Sequence, residues 1–182
     1  MPGPRSTWLA GVAVVALVAA ALAGDELYDF MPDGGRTLLL RLTGEDSLAE
    51  LAARDADADA WTAWALDRAP DLDPRQARTF AGYAEINFPL DADTLAALAA
   101  SNDAAMLPPD GKDLAIGQCQ FCHALFSGYL THDRDETGWR GTFKSPFHKE
   151  IPMTEIQRDT FARYSALNMP LKFEDVPPEL RF

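Results

Sequence analysis

The sequence predicts a mainly α-helical protein, in which an apolar amino-terminal helix precedes two similar helical units. Three observations predict this. Alanine is heavily used, and no long stretch alternates apolar and polar residues with a period of two, a pattern that favours helix over sheet. The segments Thr79 to Leu90 (TFAGYAEINFPL) and Thr160 to Leu171 (TFARYSALNMPL) agree at seven of twelve positions. Finally, Trp8 to Gly24 is apolar throughout and carries no charge.

The amino-terminal run follows Arg5 and ends in Ala21-Leu22-Ala23, a small-x-small pattern with acidic residues directly after it. That layout is a secretory signal peptide over 1–23. The run is long for a signal and short for a membrane span, so an uncleaved anchor is the alternative. A core helix fits poorly, because such a helix near a terminus normally shows a polar face. In a bacterium, both export readings place the remainder in the periplasm, soluble or tethered to the inner membrane.

Other marks recur in order with the two similar segments. Pro32-Asp33-Gly34 is echoed by Pro109-Asp110-Gly111, and Trp61 by Trp139. Each unit therefore runs from a turn, through a Trp, to a helix ending in Asn-x-Pro-Leu. The division expected is unit one over 31–90, a linker helix within 91–107, and unit two over 108–182. In unit one, Asp73 introduces a helix from Pro74 to Asn87. Asp91 introduces a short linking helix to Ala100. In unit two, a helix is expected from Asp113 to His123. A second runs from Thr154, its cap, to Asn168, with Glu155 in the first turn and Pro170 as the stop. Ile156, Phe161, Tyr164 and Leu167 are expected to form its apolar face. Between Leu125 and Pro152 lies a polar stretch punctuated by Gly and Pro, with little obvious helix. So long a connection is unusual in a compact domain, and a large bound group could organise it.

The formal net charge is -12. Nucleic acid is an unsuitable partner for so acidic a chain. The acid is uneven. Gly24 to Asp110 holds 18 acidic and 6 basic residues, whereas Gly111 to Phe182 holds 10 and 9. The first half reads either as a solvated acidic face or as a docking surface for a basic partner.

The two cysteines stand three apart in Cys119-Gln120-Phe121-Cys122-His123, a C-x-x-C-H pentapeptide. This is the pattern of c-type haem attachment. On a helix, positions i, i+3 and i+4 share one face. Both thiols then reach the two haem vinyl groups, and His123 reaches the iron from the same side. A thioredoxin-like disulfide isomerase can also carry C-x-x-C before His, but it needs a buried strand ahead of the first Cys. Residues 113–118 are not β-branched enough for that. A zinc site would need two further ligands, and His132 and His148 are not spaced for it.

At these residues the chain resembles the small monohaem cytochrome c family. Gly111-Lys112-Asp113-Leu114 and the pentapeptide are similar to its amino-terminal helix, and the helix bearing Phe161 and Tyr164 to its carboxy-terminal one. Gly138-Trp139 is similar to members that serve as electron-accepting subunits of periplasmic dehydrogenases. The resemblance covers Pro108 to Phe182, and only the pentapeptide is specific. It implies a cytochrome c-like helical domain with one covalent haem c held by Cys119, Cys122 and His123. It also implies a carrier of single electrons with no catalytic residue of its own. Its redox partners would be a dehydrogenase, other cytochromes or a terminal oxidase. Unit one has neither Cys nor His and would be a haemless copy. For the sixth iron ligand, Met153 stands where the family usually places its Met, but only 11 residues before Tyr164. His148 stands 16 before Tyr164, nearer the family spacing, and is the alternative. Met169 is a third candidate, although Phe88 replaces it in unit one. Arg134, Arg140 and Lys144 are candidates to neutralise haem propionates or are solvated loop charges. Trp61 and Trp139 are expected as core anchors, and His132 as an exposed loop residue. Were no sixth ligand present, the alternative function is a haem enzyme or a binder of peroxide or small gases at an open iron position.

Overall fold

The computed structural model describes residues 27–44, 46–120 and 122–182. The expected signal or anchor over 1–23 lies outside them. Among the described residues no helix is long and apolar enough to cross a membrane. The chain divides into Met1–Met31, whose described part is a short turn, and Pro32–Phe182. The second unit is mainly α, with no strand among the described residues. Its helices are α1 Gly35–Thr43, α2 Leu48–Ala52, α3 Ala58–Arg68, α4 Pro74–Asn87, α5 Ala92–Ser101, α6 Gly111–Cys119, α7 Glu136–Thr142 and α8 Glu155–Asn168.

Local sequence sets most of these boundaries. Asp57, Asp73, Asp91 and Asp135 each accept a backbone N–H of the first turn of α3, α4, α5 and α7. Pro74 occupies the first turn of α4, where its missing N–H costs nothing. Thr154 and Gln157 form a capping box at the start of α8.

Helices α4 and α8 form the centre of the fold and run antiparallel, tied by reciprocal bonds. Asn87 Nδ2 donates to Thr160 Oγ1 at 3.0 Å, and Asn168 Nδ2 donates to Thr79 Oγ1 at 3.0 Å. Tyr83 Oη donates to Pro108 O at 2.8 Å, and Tyr164 Oη donates to Pro32 O at 2.7 Å. Each half repeats the same packing. Helices α1 and α3 pack on α4, and α6 and α7 pack on α8. Trp61 meets Phe80 edge-on, as Trp139 meets Phe161. A Cβ on Gly35 would fall 2.1 Å from Tyr83 Cβ, and one on Gly111 would fall 2.1 Å from Tyr164 Cβ. Only glycine admits either approach. The sequence pairing of Gly34 with Gly111 was therefore one residue out: Gly35 is the counterpart of Gly111, and Gly34 that of Asp110.

That last pair breaks the symmetry. The Asp110 carboxylate accepts from Lys112 and Asp113 N in its own helix, and from Arg36 N at the start of α1. One carboxylate thus caps two helices, and Gly34 supplies no side-chain cap of its own. A Cβ at Gly34 would strike Asp110 Oδ2 at 2.0 Å. Arg163 adds a further tie, reaching Glu85 of α4 at 3.0 Å and Glu136 of α7.

Three helix expectations change. The helix expected over Asp113 to His123 is Gly111–Cys119 and stops inside the pentapeptide. Cys122 and His123 are exposed, so no burial favours extending it. The connection from Leu125 to Pro152 contains α7, which is anchored by the buried Trp139. On α8, Ile156 is 56% exposed, whereas Thr160, Ser165 and Asn168 are buried. The face of α8 towards α4 is polar because it is satisfied by hydrogen bonds rather than by apolar contact.

Candidate functional site

Cys119 ends α6, and Cys122 and His123 follow in the turn beyond it. The chain then enters a π-helical turn, Phe126–Leu130. This turn passes directly beneath the His123 ring: a Cβ on Gly128 would fall 1.9 Å from His123 Nδ1. His123 Nδ1 lies 3.3 Å from Ala124 O. A neutral ring donating there carries its free lone pair on Nε2. Burial pushes the Cys119 thiol up to about 12. It is a protonated thiol rather than the activated thiolate of a redox dithiol.

These three side chains open onto a cavity of about 320 Å³. Gln118 and Cys119 of α6, the turn carrying Cys122 and His123, and Gly128 and Tyr129 form part of its lining. The rest comes from Trp139, Thr142, Phe143, Ser145, Phe147, His148, Ile151 and, on α8, Phe161. The floor is a cluster of aromatic rings. Trp139 and Tyr129 have centres 5.2 Å apart, and Phe161 meets Trp139 at 5.8 Å and Phe143 at 5.5 Å. Tyr129 Oη is bonded to Ser165 Oγ at 2.9 Å. Full burial raises its phenol above the usual range, so it stays neutral. Trp139 Nε1 is buried without an acceptor, as is Trp61 Nε1.

The remaining candidates separate clearly. His148 lines the cavity in a 3₁₀ turn, His148–Glu150. Its ring centre is 6.2 Å from that of His123, with the planes at 80°. Met153, the first candidate from sequence, is buried but is not part of the cavity lining. Its position just ahead of α8 turns it into the core. Met169 caps the end of α8, buried as is its counterpart Phe88. His132 is half-buried against Trp139 rather than exposed, with ring centres 6.4 Å apart. Arg140 is engaged by Asp159 at 2.7 Å, and Arg134 lies over Trp139 and donates to Thr142 Oγ1. Lys144 is exposed next to the lining residue Phe143. Sequence reasoning passed over Gly128, Ser145 and Phe143. Only the three-residue spacing of Ser145 to His148 offered a signal, that of one helical turn.

Among the described residues no group of three or more His, Cys, Asp or Glu side chains is arranged to hold a metal ion by itself. No protein-family model, curated protein or solved structure matches the chain.

Proposed function

We propose that this protein is an exported monohaem c-type cytochrome that passes single electrons and is not itself a catalyst. The observation that carries the reading is the cavity. Both cysteines and the histidine of the C-x-x-C-H motif line it, and aromatic and aliphatic side chains form most of the remaining wall. The residues suit a flat apolar macrocycle with one covalently anchored edge. The volume falls in the usual range for a cofactor pocket, about 300–1,000 Å³. The exposed His123 ring lies against Gly128 with Nδ1 3.3 Å from Ala124 O, the kind of outer contact that orients a metal-ligating histidine once metal is bound.

When bound, the haem supplies a one-electron redox centre whose potential follows from ligation and burial. Cys119 and Cys122 would anchor it through thioethers, and His123 would ligate its iron. Trp139, Phe143 and Phe161 keep water from the inner face of the site. Exposed Cys122, His123 and Phe147 leave its mouth open to solvent, where electrons can be exchanged with a partner. A dehydrogenase, another cytochrome or a terminal oxidase is the partner class. Residues 108–182 form the cytochrome c-like unit in this reading, and 31–90 a haemless copy of it. In that copy Leu51, fully buried, joins Trp61 and Phe80 in one apolar cluster, to which Leu98 of α5 adds. The absence of strands among the described residues supports this reading over the disulfide isomerase, which requires a sheet. Export to the periplasm, soluble or anchored, rests on residues 1–23.

The test is expression with a c-type maturation system. The expected product retains haem in a denaturing gel, and Cys119→Ser with Cys122→Ser abolishes that retention. Retention of haem by the double variant would refute covalent attachment. A ferrous protein that ignores carbon monoxide supports a carrier. One that binds it supports the enzyme alternative.

A further inference from the structure

The geometry points to His148 as the sixth iron ligand, oriented by Ser145, which makes this a bis-histidine site. The inference rests on the haem reading above. A metal holds an imidazole nitrogen at about 2.0–2.1 Å, and that nitrogen lies about 1.1 Å from its ring centre. Two rings on opposite sides of one ion therefore have centres about 6.3 Å apart. The His123 and His148 centres are 6.2 Å apart across the cavity they both line. The same separation also suits an edge-to-face ring pair, for which centres lie about 4.5–7 Å apart, so the distance admits one ion and the outer partners of the two rings carry the assignment.

Each ring also has the outer partner that an axial histidine needs. His148 Nδ1 lies 3.1 Å from Ser145 Oγ, as His123 Nδ1 lies 3.3 Å from Ala124 O. With both Nδ1 atoms engaged, both Nε2 atoms keep the lone pair that binds metal. Ser145 also holds the backbone of this turn, accepting from His148 N at 3.4 Å. Met153 has no comparable claim. Its side chain is 7% exposed in the core, its backbone N–H bonds Ile151 O at 2.7 Å, and it does not line the cavity. Ser145 acts as a positioning residue. With iron on Nε2, Nδ1 would carry the proton and donate it to Ser145 Oγ, making His148 a more basic ligand, which favours the oxidised iron.

The experiment uses the full haem-loaded protein. Oxidised protein is expected to be low-spin with no sulfur-to-iron band in the far red, and Met153→Leu should leave that spectrum unchanged. His148→Ala should give high-spin haem that binds carbon monoxide while the haem stays covalently attached. Ser145→Ala should remain low-spin but shift the potential upwards, and Ser145→Thr should restore it. A far-red sulfur band that Met153→Leu removes would overturn the inference and leave the haem reading intact. So would a His148→Ala protein that stays low-spin. Wild-type protein without covalent haem would overturn both.

Discussion

Gly128→Ala separates the role of a close backbone approach from ordinary stability. The new Cβ would lie 1.9 Å from His123 Nδ1 and 2.0 Å from its Cε1. Ordinary carbon contacts sit at about 3.5 Å, so the ring must withdraw by about 1.5 Å or the π-helical turn must shift. In haem-free protein the ring is exposed and can swing away. The unfolding free energy should then change by less than about 1 kcal/mol, and a small gain from reduced unfolded-state freedom is expected. On the proposed reading, the iron of haem-loaded protein would hold the ring, and metal–ligand distances tolerate only about ±0.2 Å. The loaded variant should therefore lose His123 ligation and turn high-spin, with its haem still bound through the two thioethers. Denaturant unfolding of the haem-free protein and the visible spectrum of the loaded protein measure the two halves. A low-spin spectrum like that of wild type would refute the argument. So would haem-free protein destabilised by more than about 2 kcal/mol, since the clash would then fall on the backbone.

Gly117→Ala is the matching control. A Cβ there meets nothing within 4 Å, so this exposed position inside α6 should gain about 0.5–1 kcal/mol in urea unfolding and keep the wild-type spectrum. A double-mutant cycle of Asn87→Ala with Thr160→Val should show coupling of about 1 kcal/mol, as should Asn168→Ala with Thr79→Val. The crossed pair Asn87 and Thr79, two turns apart on α4, should be additive; equal coupling in all pairs would count against reciprocal docking. Asp110 predicts a pH dependence: burial first, then the nearby Asp113 charge, pushes its carboxyl up to about 6. Its folded value is raised, so its contribution is full below about pH 4 and is lost as pH rises through about 6. Asp110→Asn should therefore gain on wild type between pH 4 and 6, with a constant difference above pH 7. A difference that is constant across pH 4–7 would show that the N–H bonds to Asp110 outweigh its burial.

The parts of the fold that were legible in the sequence are those with a local cause. Asp73 before Pro74 and Thr154 before Glu155 mark helix starts, because a cap and its helix are neighbours in sequence. The C-x-x-C-H pentapeptide stands out in the sequence because the chemistry proposed for it, c-type haem attachment, requires one spacing. What failed depended on contacts distant along the chain. Ile156 fits the apolar stripe of an isolated helix, yet α8 turns Thr160 and Asn168 inwards because Thr79 and Asn87 wait across the interface. The one-residue slip between Gly34 and Gly35 arose the same way. The turn text matches best at Gly34, but the packing need, a missing Cβ against a tyrosine, belongs to Gly35. For His148, proposed as the sixth ligand, the spacing was visible in the sequence, whereas its partnership with Ser145 and its distance from His123 emerge only on folding.

The reciprocal ties also account for keeping a unit with no cysteine or histidine. Helix α8 has two duties: Phe161 lines the cavity, and Thr160, Tyr164 and Asn168 turn towards the first half. A buried amide such as that of Asn168 costs about 1–3 kcal/mol when it loses its partner. Thr79 supplies that partner, Pro32 O accepts a hydrogen bond from Tyr164 Oη, and Glu85 accepts one from Arg163. Asp110 closes the set from the other direction by capping α1. These bonds fix the height and rotation of α8, and hence of the aromatic floor that Phe161 builds with Trp139 and Phe143. In the proposed reading, the haemless half works as the rigid surface against which the haem-facing helix is set. Its own core can therefore be filled with leucine and tryptophan, since its contribution to the site is made through hydrogen bonds at the interface rather than through a second pocket.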